Sequence, residues 1–198
     1  MTKQEENPIK LFDAWFAEAQ KNNIAEPEAV NLATATKDGK PSNRMVLVKE
    51  YNDKGFVFFT NLDSKKGSDL KENPFAAMCF FWPEINKQVR IEGKIEKVSD
   101  QEADNYFDSR PLNSRIGALI SKQSREIEEN DFMRFKNNFI QSIGVIATSQ
   151  SVSRPAYWSG FRLVPERIEF WQRGEFRIHK RTQYLKKKNK WEVSFLYP

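Results

Sequence analysis

Apolar positions along the chain change their period several times, and those changes divide it into elements. After Asn7 and Pro8, which read as an N-cap and a first helical residue, Phe12, Trp15, Phe16 and Ala19 recur at helical spacing and predict an amphipathic helix over about 8–22. From Ala29 the rhythm becomes strand-like. The runs AVNLATAT, NRMVLVKEY and FVFFTN are separated by Asp38-Gly39 and by Asn52 to Gly55, which predicts three antiparallel strands joined by hairpin turns. A polar helix, SKKGSDLKEN, leads into FAAMCFFW, and a turn at Pro83 leads into QVRIEGKIEKVS, adding two more strands. Five successive strands read as a meander and suggest a barrel.

Residues from about 100 to 140 are charged and helix-prone, broken into at least two pieces by Pro111 and expected outside the barrel. Strand patterning covers about 29–98 and resumes over about 161–197, through RIEFWQ, a tight turn at Arg173-Gly174-Glu175, FRIHKR and KWEVSFLYP. The fold class expected is α+β, one domain with an antiparallel barrel surrounded by helices.

Length and composition fit that expectation. A chain of 198 residues with 39% hydrophobic residues, 16 Phe and 5 Trp can bury one core, and 30% charged residues give a polar surface. No run approaches the roughly 18 apolar residues of a membrane span, and the opening MTKQEEN lacks the layout of a signal peptide, so a cytoplasmic location is expected. Cys79 is alone, which excludes an intrachain disulfide, and one His excludes a multi-histidine metal site within the chain. The net charge of +5 is partly the solvated run from Lys186 to Lys190.

The sequence contains no G-x-x-x-x-G-K-[ST], G-x-G-x-x-G or G-x-S-x-G, so a phosphate here must be held by side chains. Cations inside strands are the candidates. In FRIHKR a two-residue period places Arg177, His179 and Arg181 on one face, across a hairpin from Trp171, a surface suited to an anionic or planar heteroaromatic ligand. A solvated outer strand face is the alternative. Arg44 and Lys49 are five apart in RMVLVK, and a regular strand points them to opposite faces, toward two different anions. Tyr106, Arg110 and, beyond Pro111, Ser114 recur every four residues and offer a phenol, a guanidinium and a hydroxyl to a phosphate. Thr60, Ser64, Lys65 and Lys66 surround a strand end and a helix start, where backbone N–H groups favour an anion or Ser64 or Asp63 simply caps the helix.

Taken in order, RMVLVK, VFFTNLDSKK, QVRIEG, YFDSRP, SRIGALISKQS, IEFWQRGEFRIHKR and the terminal Pro198 resemble the pyridoxine 5′-phosphate oxidase family of FMN-binding split barrels, from about Asn7 to Pro198. The resemblance implies a homodimer with FMN at the interface. It implies cofactor binding by Arg44, Met45, Val46, Leu47, Val48, Lys49, Phe59, Thr60, Lys65, Lys66, Gln88, Gln123, Ser124, Trp171 and Arg181. It implies a substrate, pyridoxine or pyridoxamine 5′-phosphate, held by Lys49, Tyr106, Arg110, Ser114, Arg177, Ile178 and His179, with Arg177 and His179 at the reacting ring. The implied reaction is hydride transfer from C4′ to flavin N5, yielding pyridoxal 5′-phosphate, with O2 reoxidising the flavin to give H2O2.

The sequence departs from the family pattern twice. Lys65 stands where the family commonly has Arg, and MTKQEEN has neither the Arg nor the Tyr usual before the first helix, so either the chain starts late or its site closes differently. The rival readings are a split-barrel oxidase for another ring system, such as a phenazine precursor, a non-catalytic flavin or pyridoxal phosphate carrier, and a nucleic-acid-binding barrel. The last lacks any aromatic-basic RNA motif.

Overall fold

The structure is a computed structural model that describes residues 6–146, 152–188 and 190–198; most of the opening segment MTKQEEN therefore lies outside the described residues. Asn7 caps the first helix, its side chain accepting the Ile9 amide at 2.8 Å, and α1 spans Pro8–Lys21. The apolar face of α1 docks on the barrel. Phe12 is fully buried and meets Tyr51, Phe56 and Phe80 edge-on at 4.9, 4.9 and 5.0 Å between centroids. Burial of one such ring contributes about 1.5–3 kcal/mol.

Strands β1 (Ala29–Ala35), β2 (Pro41–Asn52) and β3 (Gly55–Asn61) form the expected antiparallel run. The expected meander then fails. Helix α2 (Lys65–Glu72) carries the chain across to the free edge of β1, so β4 (Phe75–Trp82) pairs with β1 and not with β3. Strand β5 (Lys87–Lys97) follows β4, and β6 (Trp158–Gln172) pairs with β5 along its length while its first half pairs with β3. That last pairing closes a six-stranded antiparallel barrel in the order β3-β2-β1-β4-β5-β6. Its interior is filled by residues such as Leu32, Phe58, Met78, Phe80, Ile91 and Ile168.

The second half of β6 pairs instead with β7 (Lys180–Lys187), and β7 pairs with β8 (Lys190–Leu196). The β7–β8 ribbon is therefore an extension of the barrel wall. The charged region forms three helices, α3 (Asp100–Ser109), α4 (Leu112–Ile120) and α5 (Glu129–Ile146), the last ending beyond the expected limit. Ser99 and Glu102 close a capping box on α3, and Pro111 separates α3 from α4. Phe107 and Ile116 pack these helices on Trp158 at the start of β6. Among the described residues no helix is long and apolar enough to cross a membrane.

FRIHKR is not a strand. Phe176 and Arg177 have positive φ of 53° and 65°, and a 3₁₀ turn spans Glu175–Arg177, so β7 begins only at Lys180. The two-residue period expected to align Arg177, His179 and Arg181 is lost because the chain turns there.

Candidate active site

A cavity of about 700 Å³ opens between β2, β3, the start of α2 and the helices α3 and α4. Five cationic side chains line it, Arg44, Lys49, Lys65, Lys66 and Arg110, and no carboxylate does. Asp69 and Glu28 pair three of them from outside the lining, which leaves Lys66 and Arg110 without a carboxylate among the described residues and favours an anion there.

Three of the cations gather at the α2 end. Ser64 caps α2, accepting the Gly67 amide at 3.4 Å. Gly67 permits a close approach, since a Cβ there would lie 2.0 Å from the carbonyl oxygen of Leu62. Lys66 is thereby drawn inward to 6% exposure, donating to Thr60 Oγ1 at 3.0 Å and Ser64 Oγ at 3.3 Å. Burial, aided by the charge of Arg44, pushes its ammonium down to about 8. Arg44 donates to Thr34 Oγ1 at 2.8 Å and Ser42 Oγ at 2.7 Å, with Asp69 at 3.9 Å. Asp69 is buried and also takes bonds from Lys65 and from Thr34. Burial pushes its carboxyl up, but those bonds and the charges of Lys65 and Arg44 hold it below the usual carboxylate range.

The other end is aromatic. Phe59, Tyr106 and Trp158 form a near-parallel cluster, with Phe59 3.9 Å from Tyr106 and 5.5 Å from Trp158 and the last two 6.2 Å apart. The Arg110 guanidinium sits 4.8 Å over the Trp158 ring, and its Nη1 is buried with no hydrogen-bond partner. Burial pushes the Arg110 guanidinium down. Ser114 is not among the lining residues, because Pro111 breaks the helical spacing that would have aligned it with Tyr106 and Arg110.

Lys49 lines the same cavity as Arg44, and so do the consecutive Met45 to Leu47, so the cavity takes residues from both faces of β2. The β2–β3 register shifts between Val48 and Glu50, so Lys49 sits at a bulge directly after the core-facing Val48. Its ammonium is held by Glu28 at 3.3 Å. Met45, Val46 and Leu47 line the cavity, whereas the Val48 side chain is in the core at 5% exposure. Gln123 and Ser124 reach the cavity from the loop after α4, with Thr60 Oγ1 3.5 Å from Gln123 Oε1.

The remaining candidates lie elsewhere. Gln88, Trp171 and Arg181 form one row across β5, β6 and β7, each paired in register with the next. His179 packs on Trp171 at 4.7 Å between ring centroids, its Nδ1 accepting the Gly174 amide at 3.3 Å. Arg177 and Ile178 are on the exposed turn, Ile178 at 69% exposure. None of these six lines the cavity. Trp158 and Trp171 mark opposite ends of β6, so one chain carries two separated groups of candidate residues.

Several lining residues escaped the sequence reading, notably Ser42, Asn61, Ser121 and Trp158. A signal existed for Trp158. Gly160, two residues on, is a glycine inside a strand whose Cβ would lie 2.8 Å from the Phe59 ring, the mark of a close approach.

A closed barrel with a ribbon extension and a cation-lined side cavity defines a split-barrel protein. An FMN-binding, pyridoxamine 5′-phosphate oxidase-related protein from Nostoc punctiforme shares this fold with a TM-score of 0.73 at 16% identity, over 93% of this chain and 96% of that one. The chain belongs to the pyridoxine/pyridoxamine 5′-phosphate oxidase family. Residues 16–144 match the pyridoxamine 5′-phosphate oxidase model and residues 158–198 match the pyridoxine 5′-phosphate oxidase C-terminal dimerisation region. Proteins called pyridoxine/pyridoxamine 5′-phosphate oxidase are 48% identical in Ehrlichia ruminantium, over 97% of this chain and 98% of that one, and 45% identical in Trichormus variabilis, over 97% and 89%. PhzG from Burkholderia lata, solved in complex with tetrahydrophenazine-1-carboxylic acid, has a TM-score of 0.91 at 30% identity over 99% of this chain and 95% of that one.

Proposed function

We propose that the chain is a cytoplasmic, homodimeric, FMN-dependent oxidase that converts pyridoxine or pyridoxamine 5′-phosphate to pyridoxal 5′-phosphate. The observation that carries this is the carboxylate-free cavity with cations at both ends, which suits two phosphate groups. Arg44, Lys65 and Lys66, with Thr60 and the α2 N-terminus, would hold the phosphate of FMN. Lys49, Tyr106 and Arg110 would hold that of the substrate, and the unpartnered Arg110 Nη1 supplies a ready donor.

The row of Gln88, Trp171 and Arg181, with Arg177 and His179 beside it, would complete the site from a second copy. A match of residues 158–198 to a dimerisation region supports that arrangement. FMN, when bound, would supply a hydride acceptor for oxidation at C4′ with O2 reduced to H2O2, and with the amine substrate water would enter and ammonia leave to give the aldehyde. The chain's own work is positional. Phosphate binding at Arg110 and Lys49 fixes the far side of the ring, while Arg177 and His179 cover and polarise the near side.

Purified protein should be yellow, bleach anaerobically on addition of pyridoxine 5′-phosphate and recover its colour with H2O2 release in air. Protein that takes up no FMN would overturn the proposal. Bleaching by a phenazine precursor and not by either B6 phosphate would replace the substrate.

A further inference from the structure

Glu169 is 2% exposed although it faces away from the barrel interior. Ile168 and Phe170 on either side point into the core, so strand alternation turns Glu169 outward together with Trp171. Guanidinium groups cover it. Arg181 Nε donates at 2.8 Å and Arg90 Nη1 at 3.4 Å, and Arg167 Nη2 lies at 3.9 Å. Glu92 shares two of these cations, Arg90 at 3.1 Å and Arg167 at 3.4 Å. Glu169 is the only carboxylate paired with Arg181 among the described residues, and the other bond of that guanidinium, from Nη1 at 2.9 Å, goes to the carbonyl of Tyr197.

The register gives this pair a purpose. Trp171 is flanked by Gln88 and Arg181, and one row behind it Glu169 is flanked by Arg90 and Gln183. Glu169 therefore anchors Arg181 diagonally, from behind the row that would meet FMN. An unanchored arginine must be immobilised when a ligand binds, which weakens binding, whereas a fixed fork offers its remaining N–H groups without that loss.

We infer that Glu169 is a positioning residue that holds Arg181 ready for the flavin taken up between two copies. The inference rests on the reading of Arg181 as an FMN ligand. Glu169 itself need not touch the cofactor.

The test is a double-mutant cycle on FMN affinity, read by quenching of flavin fluorescence on binding to the apoprotein, with light scattering to report the dimer. Arg181→Met should weaken binding about 10-fold or more, and Glu169→Gln about 10-fold with the dimer mass unchanged. In the Arg181→Met background, Glu169→Gln should add less than about 2-fold, because the anchored group is gone. Glu169→Asp, which keeps the charge, should recover part of the affinity and reads the same cycle if the Gln variant does not fold. Unchanged affinity in Glu169→Gln and Glu169→Asp beside a weakened Arg181→Met overturns the inference alone, as does full additivity in the double variant. A wild-type apoprotein that takes up no FMN, or an Arg181→Met variant that binds it normally, overturns the underlying reading and the inference with it.

Discussion

Lys66 Nζ lies 3.0 Å from Thr60 Oγ1, buried, and makes no ion pair with a carboxylate among the described residues. An ammonium in that position is held below its ordinary value, at about 8, by burial and by Arg44. Because the free protein has begun to lose this proton near pH 8, binding an anion there above pH 8 requires proton uptake. FMN affinity should therefore fall on going from pH 8 to pH 10, by at most about 10-fold per pH unit, and Lys66→Met should flatten that segment. The same depression has a stability consequence for the apoprotein. Between the folded value of about 8 and the ordinary 10.5 the unfolded chain binds more protons, so this group makes stability rise with pH across that window. Chemical denaturation of the apoprotein at several pH values checks the sign.

Arg110 is expected to serve binding at the expense of the free fold. Its buried, unpartnered Nη1 predicts that Arg110→Met leaves the apoprotein's melting temperature unchanged or raised. The same substitution, and Lys49→Met, should raise the Michaelis constant for pyridoxine 5′-phosphate about 10-fold or more with FMN still bound. An unchanged constant in both variants would remove these residues from the substrate site.

Gly67→Ala should disturb the fold and the cavity together. The added methyl would meet the Leu62 carbonyl oxygen at 2.0 Å, so α2 must shift, at a cost of about 1–3 kcal/mol. Thermal unfolding should show a loss of several degrees, and FMN titration a weaker complex, since Lys65 and Lys66 move with the helix.

Arg177→Met and His179→Ala lie outside the barrel core and should leave the melting temperature nearly unaltered. Each should lower kcat/KM by about 10-fold or more, as expected for losing a charged or polar contact to the substrate. Steady-state kinetics beside calorimetry separates these effects.

Most elements were legible because their signals are local. Asn7-Pro8, the strand runs and the Ser99–Glu102 box each encode their own start or period. The strand order was not, since nothing in FAAMCFFW states that it joins β1 and not β3; that choice is made by core packing after α2 crosses over. FRIHKR alternates like a strand, but the left-handed Phe176 and Arg177 show that the turn overrides the pattern. The bulge at Lys49 was equally hidden, because it inserts one residue into a ladder without a composition signal. The cationic and aromatic candidates could be picked out by residue type, while their separation into two groups on one chain emerges only from the closed barrel.

That separation along β6 has a genetic consequence. Trp158 and Trp171 are thirteen residues apart at opposite ends of one strand, a span of at most about 43 Å at roughly 3.3 Å per residue, and in the proposed arrangement each flavin would take one end from each chain. In the proposed homodimer, a chain disabled at Lys66 and Arg110 and another disabled at Arg177 and His179 are each inactive alone. Co-expressed, they would form mixed dimers with one undamaged site, and the two lesions would complement each other.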